Sequence, residues 1–321
     1  KENTSKKEVQ KILDQNSFRR MLAQHCIFGI DKDINAVWLT KLSLWLHTAE
    51  TGKPFVFLDH HIIQGDSILS TVEVPNLPEQ DFDSINELIV ELNKQHSEDK
   101  EAIRQSDKLY ARLKAVTKKH VKLKNPQLSF FDTSRDIKET YFSYALSFPE
   151  VFLNKSESLR GFNIIIGNPP WETVKSKLPD FYKMETGEDK ALARKEADQW
   201  LESNRSRKLK YENWCQDIKN YSKAIKESGY SYQAGEVYTY SYFSERSMQT
   251  LQVNGLLCYI VKLGLYGDDK VKGFRKYLFE DNFLEKMWIV KSNKLGNEKF
   301  FSQIDPNEKF AVFVTRKGGL R

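Results

Sequence analysis

Apolar positions recur at helical spacing near the start of the chain, where Val9, Ile12, Leu13, Phe18 and Leu22 predict a helix over residues 6–24. Cys26 to Ile30 is a short apolar run ending in Gly29-Ile30-Asp31, which predicts a buried strand with an acid at its carboxyl end. Val37, Leu39, Leu42, Leu44, Trp45 and Leu46 predict an apolar-rich helix over 36–47. Phe55 to Leu58 and Ile62-Ile63 predict a second strand that runs into Gly65-Asp66-Ser67. Helix, strand, helix, strand is the order of a parallel α/β sheet.

The pattern changes at Ser84. Ile85, Leu88, Ile89 and Leu92 fall at i, i+3, i+4 and i+7, and Ile103, Leu109, Tyr110, Leu113 and Val116 continue the helical theme among many charges. This predicts a helical hairpin set into the sheet, ending before Pro126. The sheet pattern returns at Phe162-Asn163-Ile164-Ile165-Ile166, read as a buried strand. A second polar helical stretch, with Trp200, Tyr211, Trp214 and Tyr221 among lysines and arginines, covers about 187–229. Beyond it the periodicity predicts a helix over 237–251, a strand over 255–261 and a helix over 272–282. Two further strands, 286–290 and 310–315, read as antiparallel neighbours. The expected organisation is an α/β domain in three parts (1–83, 125–186 and 230–321) interrupted by helical insertions at 84–124 and 187–229.

Composition narrows the class. A hydrophobic content of 40% with 29% charged residues fits a globular protein with polar helical additions. The apolar run around Phe162 is far too short to span a bilayer, and the charged first twenty residues lack the apolar core of a signal peptide. Cys26, Cys215 and Cys258 are far apart in sequence, so neither a disulfide framework nor a zinc site is expected, and a reducing cytoplasm is the expected location. A net charge of +6 is compatible with nucleic acid without demanding it. The chain opens on Lys1 and runs off at Gly318-Gly319-Leu320-Arg321, which reads as a piece of a longer protein.

The chemistry concentrates in Ile166-Gly167-Asn168-Pro169-Pro170-Trp171, directly after a strand. Pro169 and Pro170 have no amide protons and fix φ, so the turn is stiff and its carbonyls can face outward as acceptors. Asn168 adds a side-chain acceptor and Trp171 a flat face for stacking. Two acceptors converging on one amino group would hold an exocyclic amine and make its conjugated nitrogen more reactive.

That loop resembles the catalytic (Asn/Asp/Ser)-Pro-Pro-aromatic motif of the amino-methyltransferases. The longer run Leu146-Ser147-Phe148-Pro149-Glu150-Val151-Phe152, then Gly161 to Trp171, is similar to large adenine-specific DNA methyltransferases of the type IIG restriction–modification and phage-defence kind. Phe28-Gly29-Ile30-Asp31-Lys32-Asp33 resembles the family's second motif, and Gln64-Gly65-Asp66-Ser67-Ile68-Leu69 its third. The resemblance implies a Rossmann-like methyltransferase sheet that binds S-adenosylmethionine and methylates N6 of adenine in double-stranded DNA, by direct transfer to a flipped-out base. It assigns Asn168, Pro169, Pro170 and Trp171 to catalysis. It assigns Asp31 to the cofactor ribose and Asp66 to the cofactor adenine, with Lys32 and Ser67 beside them. Trp171 and an aromatic before the last strand, Phe301 rather than Phe300, would contact the target base. Gly235 to Arg246 and Gly255 to Val261 are similar to the helix and strand that follow the catalytic loop in that family.

One family feature is missing. A glycine-rich cofactor loop belongs upstream of Asp31, yet residues 1–30 contain only Gly29. The sheet is therefore expected to be incomplete at its N-terminal strand, and this piece alone to bind S-adenosylmethionine weakly or not at all. A glutamine-modifying protein methyltransferase and a non-catalytic DNA-binding scaffold are the alternative readings. His60-His61 beside Asp59 is not expected to hold a metal, since adjacent strand residues point oppositely.

Overall fold

The computed structural model describes residues 15–49, 53, 55–56, 58–72, 78–94, 100–118, 142–153, 156–188, 193–267, 269–291 and 309–318. The chain divides into two compact units, Lys1–Phe162 and Asn163–Arg321, and the architecture is mixed α/β.

In the first unit, helix α1 (Gln15–His25) leads to strand β1 (Gly29–Asp31), helix α2 (Ile34–Thr48) and strand β2 (Ile62–Gln64). β1 and β2 are parallel, with Gly29 opposite Ile62 and Asp31 opposite Gln64. Successive strand residues point to opposite faces, so β2 serves two cores. Ile62 packs with Ala23, Val37, Val56 and Leu58 beneath α1 and α2. Ile30 and Ile63 pack into the other cluster.

Of the apolar run at 55–58, Val56 and Leu58 join the first of these cores, Phe55 is exposed, and none of these three residues lies in a strand. Val56 and Leu58 are fully buried, the Trp45 indole N–H donates to the Val56 carbonyl at 2.7 Å, and the Leu58 carbonyl closes a turn with His61. Apolarity marked the burial of Val56 and Leu58 without specifying a strand.

The second cluster is built by helices. Helix α3 (Glu79–Lys94) contributes Ile85 and Leu88, and helix α4 (Lys100–Lys118) contributes Leu109, Tyr110 and Leu113. A two-residue parallel ladder follows, strand β3 (Ser70–Thr71) with strand β4 (Phe142–Ser143). Two one-turn helices, α5 (Tyr144–Ser147) and α6 (Pro149–Phe152), add Tyr144, Phe148 and Phe152. Phe148 and Phe162 stand edge-on, with centroids 5.8 Å apart, and Phe28 lies 5.4 Å from Phe148. The hairpin read from the 84–124 pattern therefore covers one face of the β1–β2 pair.

The second unit holds a four-stranded sheet in the order β5 (Phe162–Gly167), β6 (Leu251–Lys262), β8 (Lys309–Arg316), β7 (Phe283–Lys291). β8 pairs antiparallel with both β6 and β7, so the antiparallel pair expected from the pattern is present and its second strand is central. β5 was expected to be a buried strand. Ile164 and Ile166, on the end strand of this four-stranded sheet, are instead exposed, the latter at 79%.

Helices α7 (Leu178–Thr186), α8 (Arg194–Glu202) and α9 (Arg205–Glu227) follow β5. Their aromatic residues form a core of their own: Trp200, Tyr211 and Trp214 all lie within about 6 Å of the Phe181 ring, and the Arg207 guanidinium covers Trp200. Gly187 ends α7 with φ of 72°, its N–H returning to the Lys183 carbonyl.

Helix α10 (Thr239–Thr250) is buried along most of its length. Its charged residues hold the segment leading out of α9. Glu245, fully buried, accepts from the backbone N–H groups of Ser231 and Tyr232 and from the Gln233 amide. Arg246 donates to the Ser228 carbonyl and lies over the Tyr230 ring. Two charges at full burial are tolerated because hydrogen bonds compensate them.

Candidate active site

The first unit places Asp31 and Asp66 at the carboxyl ends of adjacent parallel strands. Asp31 ends β1, and the Asp31 carbonyl accepts from Gly65 N–H, one residue before Asp66. The exposed Asp31 carboxylate accepts from Asp33 N–H through Oδ1 at 2.8 Å. Asp33 in turn caps α2 by accepting from Asn35 N–H. Among the described residues nothing engages Asp31 Oδ2, so one carboxylate oxygen faces outward from a rigid turn.

Asp66 is arranged differently. It is buried, its Oδ1 accepts from Ile68 N–H and Leu69 N–H, and its Oδ2 lies 3.6 Å from the Lys32 ammonium. Two backbone donors and one cation stabilise a carboxylate that burial would otherwise penalise. Lys32 is itself placed by the backbone, its carbonyl accepting from the Gln64 side chain. Ser67 follows in the same turn, its carbonyl accepting from the Ser70 hydroxyl. The structure thus brings Asp31, Lys32, Asp66 and Ser67 to one end of the β1–β2 pair.

The second unit carries the Asn168-Pro169-Pro170-Trp171 loop at the end of β5. Asn168 and Pro170 are exposed, Pro169 is buried and Trp171 is partly buried. Contacts from Tyr259, Phe310 and Thr239 hold this loop. Gly167 lies against the Tyr259 ring on β6, so closely that a Cβ there would stand 2.9 Å from Tyr259 Cε1. The Trp171 ring packs on Phe310 of β8, with centroids 6.1 Å apart and planes tilted by 33°. The Thr239 hydroxyl lies 2.6 Å from the Pro170 carbonyl and 2.7 Å from the Glu172 carbonyl.

The backbone beyond Trp171 is sewn to the segment before α10. Thr173 and Tyr238 form an antiparallel bridge, Val174 N–H donates to Val237, and Thr239 N–H donates to Glu172 at 3.0 Å. A shallow groove of about 560 Å³ lies beside this seam, lined by Lys175, Lys226, Glu236 and Val237 among others. Lys175 and Glu236 form an ion pair across it at 3.2 Å. Among the described residues nothing engages the Asn168 side chain or the Pro169 carbonyl. Two acceptors adjacent in sequence are therefore left open on a loop whose neighbouring carbonyls are occupied.

Phe301 lies outside the described residues. Among the described residues, one aromatic side chain that meets Trp171 is Phe310, which the pattern along the chain places in a strand without assigning it to the site. Thr239 and Tyr259 were also missed as parts of the loop's support. Each is separated from the loop by about seventy residues or more, and only an aromatic and hydroxyl excess in Tyr238-Thr239-Tyr240-Ser241-Tyr242 marked the region.

The histidine pair is engaged by neighbouring side chains. His60 stacks on Tyr110 and pairs with Asp107, His61 reaches Tyr110 and Glu150, and Asp59 receives the buried Lys41 ammonium at 2.6 Å. Among the described residues no cluster of three histidine, cysteine or acidic side chains could hold a metal ion. No helix among them is long and apolar enough to cross a membrane.

A family model described as Eco57I restriction-modification methylase matches residues 25–201 and 205–295. No curated protein matches the chain. The matched span includes β1, β2, the Asn-Pro-Pro-Trp loop and α10.

Proposed function

Because the chain belongs to the Eco57I restriction-modification methylase family, we propose that it transfers a methyl group from S-adenosylmethionine to the N6 amine of adenine in double-stranded DNA. The observation that carries this reading is the open acceptor pair, the Asn168 side chain and the Pro169 carbonyl, beside carbonyls already held by Thr239. An aromatic exocyclic amine has two N–H donors and a lone pair conjugated into its ring. Accepting both hydrogens favours a tetrahedral nitrogen with its lone pair freed for attack.

Asp31 and Asp66 fit the cofactor by the chemistry of their donors and acceptors. Asp31 Oδ2 is an outward acceptor suited to a ribose diol at a strand's carboxyl end. Asp66 is pre-stabilised by two backbone donors, and an amine approaching its Oδ2 competes with Lys32. When bound, S-adenosylmethionine supplies an electrophilic methyl group on a sulfonium. The loop's part is to orient the amine and to accept hydrogen bonds that strengthen as positive charge develops on nitrogen. No cysteine lies in the loop, so transfer is direct, without an enzyme-bound intermediate. Trp171 offers the stacking surface for a base flipped out of the duplex, at a cost of a few kcal/mol. The sheet is read as Rossmann-like, and the biological setting as restriction–modification or phage defence.

The test is methyl transfer by the full-length protein from a radiolabelled donor to duplex DNA, followed by nucleoside digestion and chromatography. The expected label is in N6-methyldeoxyadenosine. Label in a cytosine product, or in protein glutamine with none in DNA, would overturn the reading.

A further inference from the structure

We propose that Thr239 is a positioning residue that aligns the catalytic loop by gripping the Pro170 and Glu172 carbonyls; this rests on the methyltransferase reading above. The argument begins with what two prolines remove. Pro169 and Pro170 have no N–H, so the heart of the loop cannot donate to its surroundings and can be fastened only through its carbonyls. Among the described residues, the donor that reaches them is the Thr239 hydroxyl, 2.6 Å from Pro170 O and 2.7 Å from Glu172 O. A hydroxyl has one proton, so it serves one carbonyl at a time, while Thr239 N–H holds Glu172 O at 3.0 Å.

Holding Pro170 O fixes the plane of the Pro170–Trp171 peptide. That sets the direction from which the Trp171 ring leaves the backbone. Through the rigid proline φ, it also limits where the Pro169 carbonyl can point. The grip comes from a rigid element, since Thr239 is the first residue of α10 and is itself buried. The donor is also neutral. An ammonium or guanidinium in its place would oppose the positive charge that develops on the target nitrogen, whereas a hydroxyl adds no net charge.

Pro170 is exposed, so water can replace the lost donor and a variant without the hydroxyl is expected to fold. Thr239→Val keeps the shape and the backbone N–H but removes the hydroxyl. Thr239→Ser restores the hydroxyl. Single-turnover methylation in the full-length protein should slow on the order of 10–100-fold in Thr239→Val, the scale expected when reacting groups are displaced by up to about an ångström. DNA and cofactor affinities should stay within about two-fold, and Thr239→Ser should recover most of the rate, because an oriented donor affects the chemical step more than ground-state binding. Amide exchange at Trp171 to Lys175 should quicken in the valine variant and return to normal in the serine variant.

A wild-type rate in Thr239→Val overturns the proposal. So does a loss that serine fails to restore, or one matched by weakened binding or a lowered melting temperature. If wild-type protein leaves adenine unmethylated, the functional reading fails, and the exchange measurement still decides whether Thr239 holds the loop.

Discussion

The Tyr259 ring stands where a side chain on Gly167 would have to go, 2.9 Å from Cε1 to the position of a built Cβ. That ring is fully packed: its hydroxyl pairs with Ser247 Oγ at 2.6 Å and its edge meets Phe313, with centroids 6.5 Å apart. Burial pushes the phenol up to about 12, so it stays protonated at any working pH. The residue before Asn168 is therefore held against a wall that α10 and β8 keep in place.

Gly167→Ala should destabilise the protein by about 1–3 kcal/mol, the usual cost of forcing a methyl group into a packed core. It should also slow methyl transfer, because the backbone that yields is that of the catalytic loop. Denaturant unfolding measures the first effect. In a Tyr259→Ala background the added methyl should cost much less, and equal costs in both backgrounds would show that the ring is not the obstacle.

Asn168 and Trp171 should separate chemistry from capture. Asn168→Ala should lower the single-turnover rate constant by about 10²–10³, as for the loss of one preorganised hydrogen-bonding group. Trp171→Ala should weaken binding of duplexes with an unpaired target base, by roughly the 1–3 kcal/mol of one stacked base. Binding measured by fluorescence and rates measured by rapid quench check these effects. An unchanged rate constant in Asn168→Ala would remove that side chain from the mechanism.

The two acidic residues should differ in what they support. Asp31 is exposed and engaged through one oxygen, so Asp31→Ala should change stability by no more than about 1 kcal/mol. Losing a charged acceptor for the ribose should weaken cofactor binding about 10–100-fold, from the 1.5–3 kcal/mol of a hydrogen bond to a charged group. Asp66→Ala removes the acceptor of the Ile68 and Leu69 N–H groups in a buried turn and should cost about 1–3 kcal/mol even without ligand. Thermal unfolding of both variants, and calorimetric titration of the full-length protein carrying each, check the contrast.

His61 should make the first unit sensitive to acid. Burial, with smaller contributions from the nearby His25 and His60, lowers its pKa from 6.5 to about 4. Glu150 lies 3.8 Å away, but its oxygen is engaged by the Tyr110 hydroxyl, and desolvation prevails. Between pH 6.5 and 4 the unfolded chain binds a proton that the folded chain refuses. Stability from this group is therefore complete above about 6.5 and declines as pH falls towards 4, by at most about 3 kcal/mol. Urea unfolding at pH 7.5, 6 and 5 should show the decline, and His61→Gln should flatten it; parallel curves for the two proteins would exclude His61 as the source.

The local elements were legible because each rests on short-range pattern. Val37 and Leu44 in α2, Ile85 and Leu88 in α3, and the alternation in β8 all reported their own backbone state through spacing alone. The loop was legible for a chemical reason: two prolines after an apolar strand, with an amide before and an indole after, have few structural uses. The 55–58 run misled because apolarity reports burial without reporting how the chain gets there. β5 misled because the same apolar composition occurs in strands whose side chains are covered and in strands whose side chains are not.

Sequence by itself determined the alternation of helices and strands, the position of the Asn168-Pro169-Pro170-Trp171 loop, and the acids at the ends of two strands. These depend on neighbours a few residues apart, where spacing and side-chain type act directly on the backbone. Tertiary structure alone decided which carbonyls of the loop are held and which stay open. Thr239 meets Pro170 and Phe310 meets Trp171 only because the folded sheet brings residues 69 or more positions apart into contact. A hydrogen bond depends on distances of a few tenths of an ångström, and no periodicity along the chain specifies distances of that kind.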